Sequence, residues 1–364
     1  MRSRPAMHMA TPWHERNLWR TVVTTAAAAG TAAAFRWLDV PLAYILGSMI
    51  GAALVGNLLS PMKGGRQVRR FSQLFVGVSV GAVMNAGVLD ALADLFPLML
   101  AIAVAANLLG LALTLPVARL ARIDRLTALL SCLPAGMAEM ATLAHEVKAD
   151  EQSVAIIHTL RVLTVLTLVP LWLMAIGHPP ASRVLLTPPQ APRELLGLAA
   201  LIVASLLIAL VAGRMRVINA FIVVPTLLCM VLIAFGFDVP SVPGPLLVAA
   251  QIGIGASIGL RFRFDRMRRL PRTVFGGIVS GLALVSASLF GLGFLIERFG
   301  GLDHVSALLA AAPGGLGEMI ATADALGVAT AMVAGFQLTR SIFTNVFVAP
   351  LIRWFQGKLG RTPE

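Results

Sequence analysis

The chain has 364 residues, of which 58% are hydrophobic and only 13% charged, with a mean hydropathy of +0.86. Soluble domains carry about 25% charged residues, so a soluble enzyme is excluded and an all-α polytopic membrane protein is expected, its first partner the lipid bilayer. The net charge of +12 points to cytoplasmic loops, where Lys and Arg accumulate, and not to nucleic acid, because the basic stretches are short and lack interleaved aromatics.

Residues 1–20, with Arg2, Arg4, Arg16 and Arg20, form a basic N-terminal segment. The Ala-rich run that follows resembles a secretory signal, but a second apolar run comes at once, so an uncleaved first helix is expected. Apolar runs in the first half cover 21–35, 41–59, 71–86, 93–117, 127–144 and 153–176. Those in the second half cover 194–212, 217–236, 244–260, 273–296, 304–322 and 329–351. A spanning helix needs about 20 residues, and most of these runs qualify. The expected organisation is a first membrane repeat at 21–176, a Pro-rich linker at 177–193, a second membrane repeat at 194–352 and a tail at 353–364.

The two halves repeat one another. Gln73-x3-Gly77-x-Ser79-x-Gly81 returns as Gln251-x3-Gly255-x-Ser257-x-Gly259, an offset of 178 residues. Pro134-Ala135-Gly136-Met137-Ala138-Glu139-Met140 returns as Pro313-Gly314-Gly315-Leu316-Gly317-Glu318-Met319, an offset of 179, and Arg161 returns as Arg340 at that same offset. Pro and adjacent Gly interrupt the runs at 127–144 and 304–322, which makes each a poor single helix. If all twelve runs cross, the basic stretch Arg261–Arg272 falls outside. If both interrupted runs enter and leave on one side, 23 of the 29 Lys and Arg lie inside, four outside, and Arg161 and Arg340 within the membrane. The positive-inside rule selects the second arrangement. Each half then crosses five times, so the second is inverted relative to the first, and each contributes one Gly-rich re-entrant hairpin. Duplicated, inverted halves with broken helices are the architecture of secondary transporters.

Glu139 and Glu318 are the acidic residues expected at membrane depth. Ionisable groups there face a cavity or a partner, and irregular backbone is tolerated only where it lines protein or water. Arg161 and Arg340 offer planar forks suited to carboxylate or phosphate. The alternative is a structural pair, each Arg locking a hairpin through its Glu. His158 and Gln337 add polar groups beside the arginines. Pro134, Gly136, Pro313, Gly314 and Gly315 expose backbone at the breaks. Gln73, Ser79, Gln251 and Ser257 are candidates for polar lining, provided their stretches are partly extended; on a helix the glycines would serve close packing. Cys132 and Cys229 are isolated, the six His have no metal-ligand spacing, and no phosphate-binding loop occurs, so no catalytic residue, metal ligand or cofactor is assigned.

The duplicated motif set, in Leu133–Met140, His158–Arg161, Ala312–Met319 and Gln337–Arg340, resembles the AbrB family of bacterial membrane proteins, also labelled ammonia monooxygenases. Ala135 replaces the glycine seen at Gly314, and the family's Leu-Gly-Pro element reads Leu46-Gly47-Ser48. The resemblance implies the bacterial inner membrane, and either a regulator of gene expression or an oxygenase. A weaker, fold-level likeness is to five-plus-five carriers such as the 2-hydroxycarboxylate transporters. The residues themselves favour an ion-coupled permease for a small anionic or zwitterionic solute, driven by H⁺ or Na⁺. Glu318 is the first choice of coupling group because its motif carries the fuller Gly pattern. A homodimer is compatible with the chain. Both termini are expected in the cytoplasm. A cysteine at position 148 should therefore react with impermeant reagents only from inside, and one at position 302 only from outside; labelling of 148 from outside would sink the inverted arrangement.

Overall fold

The computed structural model describes residues 13–59, 65–175, 192–215, 217 and 219–359. Every regular element among them is helical. The first half comprises α1 (Trp13–Trp37), α2 (Ala43–Leu58), α3 (Gly65–Ala82), α4 (Ala86–Asp94), α5 (Phe96–Ala121), α6 (Arg125–Cys132), α7 (Met137–Glu146) and α8 (Glu151–Ala175). The second comprises α9 (Pro192–Arg214), α10 (Ala220–Ala234), α11 (Gly244–Gly259), α12 (Phe264–Arg269), α13 (Pro271–Ala287), a π-helical turn (Ser288–Gly293), α14 (Phe294–Gly300), α15 (His304–Ala311), α16 (Leu316–Leu326) and α17 (Thr330–Leu359). Expected linker residues 177–191 lie outside the described residues, while 192 and 193 open α9. Residues 13–20, expected in the N-terminal segment, are already helical, and 353–359, expected in the tail, continue α17.

Among the described residues, five helical stretches are long and apolar enough to cross a membrane: Phe96–Ala121, Glu151–Trp172, Glu194–Arg214, Gly244–Arg269 and Pro271–Gly300. A sixth forms if α3 and α4, bent by 95° at their break, count as one. Large apolar side chains such as Leu196, Phe299 and Val346 are exposed, as a lipid-facing surface requires and a soluble one avoids.

Packing pairs the halves crosswise. α2 lies against α11, α3 against α10, α5 against both α13 and α17, and α8 against α13. The glycines of the repeated Gln-Gly-Ser-Gly segments explain how closely α2, α3, α10 and α11 approach. A methyl group at Gly255 would strike the Ile45 carbonyl and Ser48 Oγ, and one at Gly259 the Met49 carbonyl. Gly77 and Gly81 meet Ile222, Pro225, Thr226 and Cys229 in the same way. Both segments are continuous helix, so the extended conformation that would have turned their Gln and Ser to one lining is not adopted. Small residues let helix backbones touch where lipid supplies no hydrophobic drive.

Overpacking a close contact costs about 1–3 kcal/mol. Gly259→Ala should accordingly lower the thermal unfolding temperature in detergent, whereas Gly30→Ala, with nothing within 4 Å of the added methyl, should leave it unchanged or raise it.

Candidate functional site

The two interrupted runs are helix–break–helix hairpins, α6–α7 and α15–α16. Their entries are capped alike: Asp124 accepts from the Thr127 N–H (2.8 Å) and Asp303 from the Ser306 N–H (3.0 Å). Their exits are tied back alike, the Asp150 N–H donating to Thr127 Oγ1 (2.9 Å) and the Ala329 N–H to Ser306 Oγ (3.0 Å). A helix that ends leaves carbonyls without partners, and in an apolar surround each must be satisfied internally.

The buried arginines satisfy them. Arg161 on α8 donates to the carbonyls of Leu133 (3.0 Å) and Ala135 (3.2 Å). Arg340 on α17 donates to those of Ala311 (3.2 Å), Ala312 (2.8 Å) and Gly314 (3.3 Å). One turn earlier, His158 sets its Nε2 on the Leu130 carbonyl (2.9 Å) and its Nδ1 on Arg161 Nη2 (2.9 Å). A guanidinium only donates, so Nδ1 accepts and the proton sits on Nε2. Gln337 does the same with an amide: Nε2 donates to the Leu309 carbonyl (2.7 Å) and Oε1 accepts from Arg340. Every bond of the first copy has its counterpart in the second at the 179-residue offset, and the second copy adds others, among them Arg340 to the Ala311 carbonyl. Neither arginine forms an ion pair with Glu139 or Glu318, so the Arg–Glu lock weighed from sequence is not made; the forks hold carbonyls instead. In each arginine Nε is buried without a partner among the described residues.

The carboxylates part company. Glu139 Oε2 accepts from the Gly136 N–H (3.1 Å) and lies 3.5 Å from Asn345 Nδ2. Glu318, 2% exposed, instead meets Arg69 Nη2 at 3.0 Å. A methyl group on Gly136 or Gly315 would collide with the Glu carboxylate three residues on, which is why glycine stands at both breaks.

Between the hairpins lies a polar cavity of about 50 Å³, room for a few waters. Its lining includes Pro134, Gly136, Glu139, His158, Arg161, Gly314, Gly315, Glu318, Gln337 and Arg340, together with Ala135, Met137, Asn219, Ser341, Arg69 and Arg261. Ten of the sequence candidates thus converge. Pro313, Gln73, Gln251, Ser79 and Ser257 are not among the lining residues. Gln73 packs beside Gly317, Ser257 Oγ turns to the Ile254 carbonyl of its own helix (2.7 Å), and Ser79 Oγ donates to Asp324 (2.9 Å). Asp324 on α16 is a further, half-buried acidic group beyond the two expected at depth.

Sequence reasoning missed Arg69 and Arg261. Both stand at the edges of basic stretches that look like ordinary cytoplasmic loops. Four arginines face two glutamates across the cavity, an excess of two positive charges. A resident copper or iron does not fit this donor set: among the described residues no three His, Cys, Asp or Glu side chains converge, and the surplus cations repel a metal ion.

The family model described as "Transition state regulatory protein AbrB" matches residues 47–356. The chain belongs to the AbrB family. It is 31% identical over 172 residues to YhjN, an uncharacterized protein of Bacillus subtilis (strain 168), and the match spans 44% of each chain. Both hairpins and both arginines fall within the family match.

Because histidine and glutamine do the same job in the two copies, His158→Gln should keep the stability of the AbrB-family fold. His158→Leu strands the Leu130 carbonyl and one guanidinium donor, and should cost about 1–3 kcal/mol. Thermal unfolding of the two variants in detergent separates the outcomes.

Proposed function

We propose that this chain is an ion-coupled secondary transporter of a small anionic solute, built as two inverted five-helix repeats with re-entrant hairpins α6–α7 and α15–α16 in the inner membrane. The observation that carries the reading is the central cavity, where two broken hairpins bring four arginines against two glutamates. A desolvated surplus of positive charge is stabilised by an anion, and guanidinium suits carboxylate or phosphate geometry. A zwitterion would add its ammonium to the glutamates. Broken hairpins from two repeats around one site also supply the moving parts of alternating access.

The carboxylates supply the coupling. Burial penalises a charged carboxylate and a nearby cation favours it, so opening the site to one face can change whether it holds a proton. Replacing Glu318 also strands Arg69, which confounds its test. Glu139 has no ion pair among the described residues, so Glu139→Gln removes the titratable group with less disturbance. The first candidate therefore moves from Glu318 to Glu139.

The family's description as a transition state regulatory protein favours a second reading, a membrane sensor that binds its ligand without moving it. Purified protein screened by thermal shift against small carboxylates and phosphates should be stabilised by its ligand through mass action. Reconstituted protein should then exchange that ligand in counterflow; binding with no flux supports the sensor. Glu139→Gln should abolish accumulation driven by a proton gradient while leaving counterflow, and unchanged proton-driven uptake would remove Glu139 from the coupling.

A further inference from the structure

A second, larger cavity of about 320 Å³ adjoins the central one. Its lining includes Arg261, Arg263 and Arg266 from the stretch after α11, Gln152 and Thr159 from α8, and Met137 at the start of α7. No carboxylate is among its lining residues. The two cavities share two residues, Met137 and Arg261.

Those two residues touch. Arg261 Nη1 lies 4.0 Å from Met137 Sδ, and Thr159 Oγ1 lies 3.3 Å from the same sulfur. A thioether is a weak acceptor. Among the described residues it is the one hydrogen-bond partner of the Arg261 side chain, and Glu318 attracts this guanidinium only at longer range, without a close ion pair. Arg263 Nε is buried without a partner, and its Nη2 stands 3.7 Å from the exposed Asp265 carboxylate. Methionine is unbranched and changes rotamer easily, and it sits on the first residue after the hairpin break. A small movement of α7 would carry it out of the junction.

We propose that the larger cavity is an entrance chamber for anions, and that the Met137–Arg261 contact is the gate between it and the central site. A carboxylate- or phosphate-bearing solute is drawn in past Arg266 and Arg263. It then engages Arg261, which faces both spaces, and passes the sulfur as Met137 swings aside. Clefts lined by one sign of charge raise the local concentration of the opposite ion by about 10- to 1,000-fold. This deepens the transporter reading and rests on it for the direction of passage, but the chamber itself can be tested without transport.

Thr159→Cys places a thiol in the chamber, and Ser341→Cys places one in the central cavity. The native Cys132 and Cys229 are buried, so the unsubstituted chain gives the baseline. Membrane vesicles of each orientation are treated with two impermeant thiosulfonates, the anionic sulfonatoethyl and the cationic trimethylammonioethyl reagent. Both cysteines should react from the face carrying Arg261–Arg272, with the anionic reagent faster by about tenfold or more. Arg263→Gln with Arg266→Gln should shrink that preference. Met137→Ala should speed labelling at position 341 several-fold and change position 159, which already opens into the chamber, far less. Equal rates for the two reagents, or labelling of 341 from the opposite face alone, would overturn the chamber. An unchanged 341 rate in Met137→Ala would overturn the gate. The charge comparison at 341 needs no change at Met137, so it holds even if that variant fails to fold. Charge-selective labelling without counterflow sinks the transporter and keeps the chamber; counterflow with charge-blind labelling does the reverse.

Discussion

Carbonyl groups left over at a broken helix have nowhere to go inside a membrane, and much of this site follows from how they are satisfied. Each hairpin stops one helix and starts another in an apolar setting. Water cannot take up the stranded backbone there in the way it does at a protein surface. A guanidinium delivered by the following helix takes up two or three of the carbonyls at once. This fixes the angle between hairpin and helix and places a full positive charge beside the break. That charge in turn makes the space between the hairpins attractive to anions. One solution to a backbone problem thus defines the electrostatics of the cavity.

The halves share this solution and differ in what surrounds it. The residues 178 positions from Arg69 and Arg261 are Leu247 and Val83, so neither cation has a counterpart. Arg69 claims Glu318, while Glu139 turns to its own backbone. A site built from two copies of one motif therefore offers two carboxylates in unlike surroundings, one held by a cation and one not. The repeated motif gives the frame, and Arg69 on a neighbouring helix gives the difference between the two carboxylates.

Much of this frame was legible in the residues. The repeated Pro-Gly-Glu and Arg motifs marked both hairpins and the helices that serve them, because interruptions and buried charges are rare in apolar sequence and so stand out. The carbonyl partners of Arg161 and Arg340 were not legible. Which acceptor an arginine chooses depends on carbonyls whose positions exist only once the hairpin has folded. Arg69 and Arg261 were hidden for another reason: each belongs to a run of like residues, and sequence offers no mark to separate the one that turns inward from those that stay in the loop. The Gln and Ser residues of the repeated Gly segments misled because helix periodicity, and not extended alternation, decided their directions. Asp324 was hidden by its place near the end of an apolar run, where a loop acid is the ordinary expectation.

The offset between the copies grows from 178 at Gly81 and Gly259 to 179 at Asp124 and Asp303, so the second copy is one residue longer between these points. The π-helical turn at Ser288–Gly293 lies in that interval. In a plain α-helix an added residue would rotate everything beyond it by about 100°. A turn closed by i→i+5 bonds can hold one extra residue without that rotation. Both arginines nonetheless meet their hairpins through matching bonds. A local widening inside a helix is one physical way for two copies of unequal length to keep the same contacts at their ends.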